Sequence, residues 1–380
     1  MKLVHTPEQR DFMAALRDLF ADACPPSLVR EIKTADSDGF PAQLWQGLAQ
    51  MGAFGLAIDP ELGGEGAGLY DLGLLFTEAG RVLCPTIVYS TLVFGVAAQR
   101  LADPDQAKRL LPALARGEVK ASVALWNPAD AGDTRPVFTA ERAEGGWTLR
   151  GEQLFVPNAQ LADVVLVTAR ASAFTEPRRV LAFFVRPGAP GWSAEPVRTM
   201  SGDKQARLVL DDYFVADADT ITGPGGTGIS GSELTWIANA AVALQCMEMV
   251  GGATAVLDRT VDYIKVREQF GRPIASFQAA QHHVANMRMA IDGARLTANQ
   301  ATWWLGTGQP ATRAVAIAKM HASEAYKWAT LTAHQLHGGM GYVRETDLHL
   351  WSERAKATEI QGGTADVAAG WLQRELGLAG

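Results

Sequence analysis

Two changes of hydrophobic period constrain this chain most. Apolar residues follow helical spacing to about residue 120, give way to short β-rich segments until about Ile221, and return to helical spacing after Gly231. A helix buries every third or fourth residue and a strand every second, so the two textures cannot belong to one element.

In the first part, Thr6-Pro7-Glu8 reads as a helix start: a hydroxyl cap, proline at the first position and an acid in the first turn. Phe12, Leu16, Leu19 and Phe20 continue the period, and Leu44, Trp45, Leu48 and Met51 repeat it until Gly52. The glycine-rich loop 63–68 leads into a helix through Leu72, Leu75 and Phe76, which Pro85 is expected to end. A short helix is predicted over 105–116. Strands are predicted over 121–125, 147–150, 164–169, 180–185 and 207–210, separated by Gly, Pro, Asn and Asp. Long Ala-rich helices are predicted over 232–266, 277–305, 312–335 and about 345–358. The expected fold class is mainly α with a β insert. An N-terminal helical domain covers 1–120, a middle antiparallel β domain 121–225 and a C-terminal helical bundle 226–380.

Hydrophobic residues make up 48% of the 380, enough for a large core. A net charge of -7 argues against nonspecific nucleic-acid binding, which needs Lys and Arg against phosphate. Cys24, Cys84 and Cys246 have no pairing spacing, which fits a reducing compartment rather than a disulfide or zinc framework. Residues 1–10 carry Lys2, Glu8 and Arg10 and no apolar run, so no signal peptide is expected. The apolar stretch 236–250 is broken by Asn239, Gln245 and Glu248, so no membrane span is expected either. These features predict a cytoplasmic protein.

Gly223-Pro224-Gly225-Gly226-Thr227-Gly228 matches a dinucleotide-binding GxGxxG, with Glu248 twenty residues beyond. The acid of such a site ends a second strand, whereas Glu248 falls inside a helical stretch, so a linker is the preferred reading. His282-His283, and His334 with His337, share helix faces. No carboxylate completes a ligand spacing, and no metal is expected.

Three further stretches act together. Arg267-Glu268-Gln269-Phe270-Gly271-Arg272-Pro273-Ile274 is followed by Phe277-Gln278 and Gln281. Gln335-Leu336-His337-Gly338-Gly339-Met340-Gly341-Tyr342 is the second, and Pro60-Glu61-Leu62-Gly63-Gly64 the third. Arginine offers a planar fork of donors for phosphate oxygens, the glutamines offer amides, and paired glycines let backbone approach a ligand. The three stretches resemble the R-x-Q-F-G, Q-x-x-G-G and P-E-x-x-G-G segments of the acyl-CoA dehydrogenase family. The resemblance covers essentially the whole chain and is loosest in the middle.

The resemblance implies FAD as cofactor. It assigns cofactor contacts to Arg267, Phe270, Gln278, Gln335, Gly338, Gly339 and Thr364, several of them reaching the flavin of a neighbouring subunit. Trp126, in Leu125-Trp126-Asn127-Pro128, and Phe155, in Phe155-Val156-Pro157-Asn158, stand where the family places residues around the flavin. It also implies an acyl-CoA substrate, a homo- or hetero-oligomer built as a dimer of dimers, and an electron-transfer flavoprotein as acceptor.

The family's catalytic carboxylate usually stands in Tyr-Glu-Gly-Thr. Here the match is Gln361-Gly362-Gly363-Thr364, so Gly362 replaces the base. A second family position for the base, about 26 residues before Arg267, is Ala241, and its neighbour is the apolar Val242. Glu248, Glu359 and Asp366 are the nearby carboxylates, and none is assigned as catalytic. The readings are a dehydrogenase with a displaced base, a base-less subunit of a heteromeric dehydrogenase like those acting on steroid side chains, or a flavin oxidase or monooxygenase on the same fold.

Overall fold

The computed structural model describes residues 4–34, 37–127, 132–172 and 179–378. Six helices come first: α1 (Pro7–Ala23), α2 (Pro26–Ile32), α3 (Ala42–Gln50), α4 (Leu69–Arg81), α5 (Thr86–Leu101) and α6 (Pro104–Ala115). One sheet follows, with β1 (Ala121–Ala124), β2 (Phe138–Ala143), β3 (Gly146–Pro157), β4 (Val164–Ser172), β5 (Arg179–Val185), β6 (Trp192–Val197), β7 (Gln205–Ala216) and β8 (Thr220–Ile221). Then come α7 (Gly231–Val266), a hairpin of β9 (Glu268–Gln269) and β10 (Arg272–Pro273), α8 (Gln278–Leu305), α9 (Thr312–His337), α10 (Leu348–Ile360) and α11 (Ala365–Glu375). The helix–sheet–helix order follows the two changes of period.

The described residues form two compact units. The first takes in the N-terminus to Ser27, the segment Leu72–Cys84 and the chain from Ala241 onward; the second takes in Leu28–Asp71 and Pro85–Ala240. In the first, α1 starts where Thr6 caps it, the hydroxyl accepting from Gln9 N while the Gln9 side chain accepts from Thr6 N. Helices α4 and α7 cross so closely that a Cβ on Gly80 would lie 2.1 Å from the Glu248 carbonyl oxygen. One on Gly251 would lie 1.9 Å from that of Thr77. Glycine is required at this crossing because any side chain would enter the neighbouring backbone. Helix α7 is long and apolar enough to cross a membrane, and most of it is buried within the fold.

In the second unit the strand order is β6-β7-β3-β2-β4-β5-β8, with β1 beside β4. Most pairings are antiparallel, but β4 runs parallel to both β1 and β2. Helix α5 lies on β1: Thr91 Oγ1 donates to Ala121 O at 3.2 Å and accepts from Ala121 N at 3.0 Å. Pro85 does not merely stop α4; it is the N-cap of α5, which is buried over most of its length. The turn at Pro224–Gly226 follows β8 and leads to α7, with Gly223, Gly225, Gly226 and Gly228 all in the left-handed region. Glu248 sits inside α7 and no strand follows it in a βαβ unit, so the GxGxxG match is a connector.

Candidate functional site

The Arg267 segment folds as a tight hairpin just after α7. Arg272 pairs with Gln269 and Pro273 with Glu268, leaving Phe270 and Gly271 as a two-residue turn. Both have positive φ, 54° and 79°, as a type I′ turn demands. Gly271 adopts this conformation without cost. A phenylalanine does not, and such strain concentrates at functional positions. Phe270 is also 94% exposed at the tip, its ring edge-on to Phe277 at 6.2 Å. The guanidinium of Arg272 covers the other ring, 4.1 Å from the Phe277 centroid.

The hairpin forms one wall of a groove of about 780 Å³, whose lining includes Arg267, Phe270, Gln335, Gly338 and Gly339. The other wall is the end of α9. Its C-cap, Gly338, has φ 58°, and its N–H bonds Gln335 O. Nothing lies within 4 Å of where a Cβ on Gly338 or Gly339 would stand, so the groove floor is bare backbone open to a ligand. His337 stacks on Tyr263 at 4.2 Å, and its Nδ1 bonds Ala333 O at 2.8 Å. Burial pushes the His337 imidazole below its ordinary value. His334 Nε2 bonds Ser352 Oγ at 2.7 Å. Both rings are thus held in the fold, and among the described residues no group of three metal-ligating side chains forms.

Five of the expected residues therefore meet in one groove. Gln278 is the first residue of α8 and is exposed outside that lining. Thr364 caps α11, its hydroxyl oxygen accepting from Val367 N at 3.4 Å. The groove joins a guanidinium, amides, an exposed aromatic ring and bare glycine backbone, a donor set that suits the phosphates and rings of a dinucleotide. The residues present fit FAD.

Trp126 and Phe155 belong to the other unit, where Gln153 ties their two segments together. Gln153, buried between bulged turns of β3, donates from Nε2 to Trp126 O at 2.8 Å. The β3–β7 register shifts between Gln153 and Val156, and Phe155 takes φ 58° in that bulge, 54% exposed. Three residues on, Asn158 also has positive φ and is fully buried. Its N–H bonds Lys204 O at 2.9 Å, Nδ2 donates to Ser90 Oγ, and Oδ1 accepts from Thr86 Oγ1, both at 3.2 Å. Asn158 locks the bulge that displays Phe155. Its only sequence signal is that asparagine tolerates the left-handed region better than other side chains. Residues 128–131, the rest of the Trp126 stretch, lie outside the described residues.

The two positions where the resemblance puts the base, Ala241 and Gly362, lie on α7 and just after α10. Gly362 is buried with φ 71°, and Ala241 is half-buried. One turn past Ala241 on the same face, Gln245 Nε2 donates to Gln361 Oε1 at 3.0 Å. Two of the three nearby carboxylates are held in ion pairs and the third faces solvent. Glu248 is buried against Arg354, whose Nε lies 3.2 Å from Glu248 Oε1. Glu359 holds Lys327 at 3.2 Å and Lys356 at 2.8 Å. Burial raises the Glu359 carboxyl, but the hydrogen bonds from the two lysines outweigh it and leave it below the ordinary value. A carboxylate so held is a weak proton acceptor. Asp366 is exposed in the first turn of α11. The three cysteines are buried thiols, none in a disulfide; burial pushes Cys24 and Cys246 up to about 12 and Cys84 well above its ordinary value, which disfavours the reactive thiolate.

Models of the N-terminal, middle and C-terminal domains of acyl-CoA dehydrogenases match residues 6–118, 128–213 and 236–377. The chain belongs to the acyl-CoA dehydrogenase family. Two relatives are 29% identical to it. Acryloyl-CoA reductase (NADH) of Anaerotignum propionicum aligns over 89% of this chain and 87% of its own. The probable acyl-CoA dehydrogenase YngJ of Bacillus subtilis aligns over 95% and 97%. Among solved structures, the Tcur3481–Tcur3483 steroid ACAD superposes with a TM-score of 0.86 at 28% identity, covering 97% and 98% of the two chains. The ChsE4–ChsE5 complex of Mycobacterium tuberculosis gives 0.88 at 25%, and PigA with FAD and proline 0.89 at 25%, each over the full length of both chains. The family's cofactor is FAD.

Proposed function

We propose that this chain is an FAD-binding acyl-CoA dehydrogenase subunit that lacks its own α-proton base and acts within a heteromeric enzyme. The observation that carries the reading is the pair of base positions, Gly362 and Ala241, with every nearby carboxylate occupied or turned outward. Two of the similar solved structures, the steroid ACAD and ChsE4–ChsE5, are named as pairs of chains, which agrees with a partner role. In this reading Arg267, Phe270, Gln335, Gly338 and Gly339 hold one end of the cofactor, Trp126 and Phe155 lie against its ring system, and Gln278 and Thr364 add polar contacts. Bound FAD supplies the hydride acceptor. This chain's residues bind and orient it, and the proton goes to a carboxylate on a second chain. The assembly is a dimer of dimers, cytoplasmic, and passes electrons to an electron-transfer flavoprotein.

The test mixes the purified chain with FAD and an acyl-CoA and follows flavin absorbance. Bleaching only when a second, glutamate-bearing chain is present supports the reading. Full bleaching by this chain alone overturns it in favour of a displaced base.

Phe270→Asn separates folding from binding at the groove. Asparagine accepts the left-handed conformation, so the thermal midpoint is expected to stay level or rise slightly. FAD affinity is expected to fall about tenfold with the lost stacking surface, read by flavin retained after gel filtration. Unchanged retention would remove Phe270 from the cofactor site.

A further inference from the structure

Among the described residues, Lys319 on α9 is the one fully buried lysine whose contacts the flavin reading does not use. Its ammonium donates to Thr358 O at 2.6 Å, to Gln361 O at 2.9 Å and to Gln245 Oε1 at 2.8 Å. Three acceptors match the three N–H bonds of an ammonium. Two of them are carbonyls at the C-terminal end of α10, where the helix leaves carbonyls without intrahelical donors and the macrodipole favours a cation. The third acceptor, Gln245, uses its own amide to bond the Gln361 side chain. One network thus ties the face of α7 that carries Ala241 to the loop that carries Gly362, the two places where the family puts its base.

We infer that Lys319 is the positioning residue of the 361–364 loop, its three hydrogen bonds fixing Gln361 and so the placement of Gly362 and Thr364. Lys319 touches neither substrate nor cofactor. The inference extends the functional reading only in assigning what the fixed loop presents, namely Thr364 to FAD. The charged and titratable groups facing the ammonium are Cys246 and Glu248 from α7 and Glu359 from α10. Burial pulls Lys319 down to about 8, against the upward pull of those three. Above that pH the neutral amine keeps two hydrogens for three acceptors. Because the folded value lies below the ordinary one, stability from this group does not fall as pH rises through this window. Loosening of the loop there is therefore local.

The experiment is amide hydrogen exchange of the FAD-loaded full chain between pH 7 and 9.5, corrected for intrinsic base catalysis. The reporters are Gln361 N, bonded to Ala357 O, and Gly363 N, bonded to Ile360 O, each at 3.1 Å. Lys319→Met is expected to speed these amides at least tenfold at pH 7 while the centre of α5 is unmoved. The native chain should show the same local rise above about pH 8, and the variant should not. Native rates at 361–363 in Lys319→Met, or an equal rise throughout the molecule, would overturn the inference. Gln245→Met, which removes one acceptor and the link to Gln361, covers the case in which Lys319→Met does not fold. It should speed the same amides about threefold, and no change there counts against the network. Flavin retention is read separately: a loosened loop that keeps its flavin removes Thr364 from the cofactor site and leaves the positioning role standing.

Discussion

Replacing Arg354 with methionine is expected to cost about 3–5 kcal/mol of folding stability, the range for breaking a buried ion pair from one side. Arg354 and Glu248 each expose only 8% of their side chains, and the guanidinium also donates to Cys84 O at 2.7 Å. Methionine matches the length of the alkyl stem, so packing changes little. The loss comes from leaving a carboxylate inside the protein without its counter-charge and a carbonyl without that donor. Against a usual total of about 5–15 kcal/mol, such a loss moves the urea midpoint far enough to measure directly. The double variant Arg354→Met with Glu248→Leu should recover a large part, because no uncompensated charge remains. If the single variant costs under about 1 kcal/mol, the pair is solvated and Arg354 does not hold Glu248.

That pair also shows what sequence reading reaches and where it stops. Glu248 invites one functional reading, as the ribose-binding acid of a dinucleotide motif, and its helical context disposes of it. What engages the carboxylate is Arg354, more than a hundred residues away and outside any local pattern. The groove lined by Arg267, Phe270, Gln335, Gly338 and Gly339 is legible as a cluster because its residues come from two short contiguous stretches, the hairpin and the α9 terminus. Lys319 is not. Inside Ala-Lys-Met-His it looks like one more exposed helical lysine, and its burial depends on α7 and α10 covering that face.

The same holds for the elements. Strand β2 is hard to read because Phe138 and Ala140 alone are buried, too short an alternation, and the exposed Arg142 stands where a third buried residue would continue it. Strand β6 carries Pro196, which an edge strand tolerates and a central one does not. Helix α5 is buried nearly all round, so it has no polar stripe to set its period. The sequence pattern predicts β3 only over 147–150, yet the strand continues to Pro157 through register shifts after Leu149 and Gln153. Helix α11 is short and only half-buried along most of its length, with Ala368 its one fully buried residue. Parallel pairing of β4 with β1 and β2 is set by long-range contacts that no local pattern records.

Gly362→Glu is expected to give the purified chain acyl-CoA-dependent flavin bleaching about 10²–10⁴-fold faster than the native chain alone, the usual contribution of a positioned general base. The expected gain depends on the proposed function and on the geometry of one glycine. Gly362 stands where the sequence resemblance puts the family's base, is buried, and has φ 71°. A glutamate there pays about 1–2 kcal/mol for the left-handed conformation. The described chain already accepts that conformation at seven non-glycine residues, among them Phe155 and Phe270. Gly362→Gln is the control: it carries the same strain and nearly the same volume with no proton acceptor. A gain by glutamate over glutamine isolates base chemistry from loop distortion. Its rate should fall as pH drops and the new carboxylate protonates. Such a gain would mean that this chain keeps a complete acyl-CoA and flavin site and lacks only the base. Equal, negligible rates in both variants, with flavin retained and the fold intact, would mean that the Gly362 loop does not face the α-carbon of an acyl-CoA. The chain would then serve its partner through cofactor contacts alone.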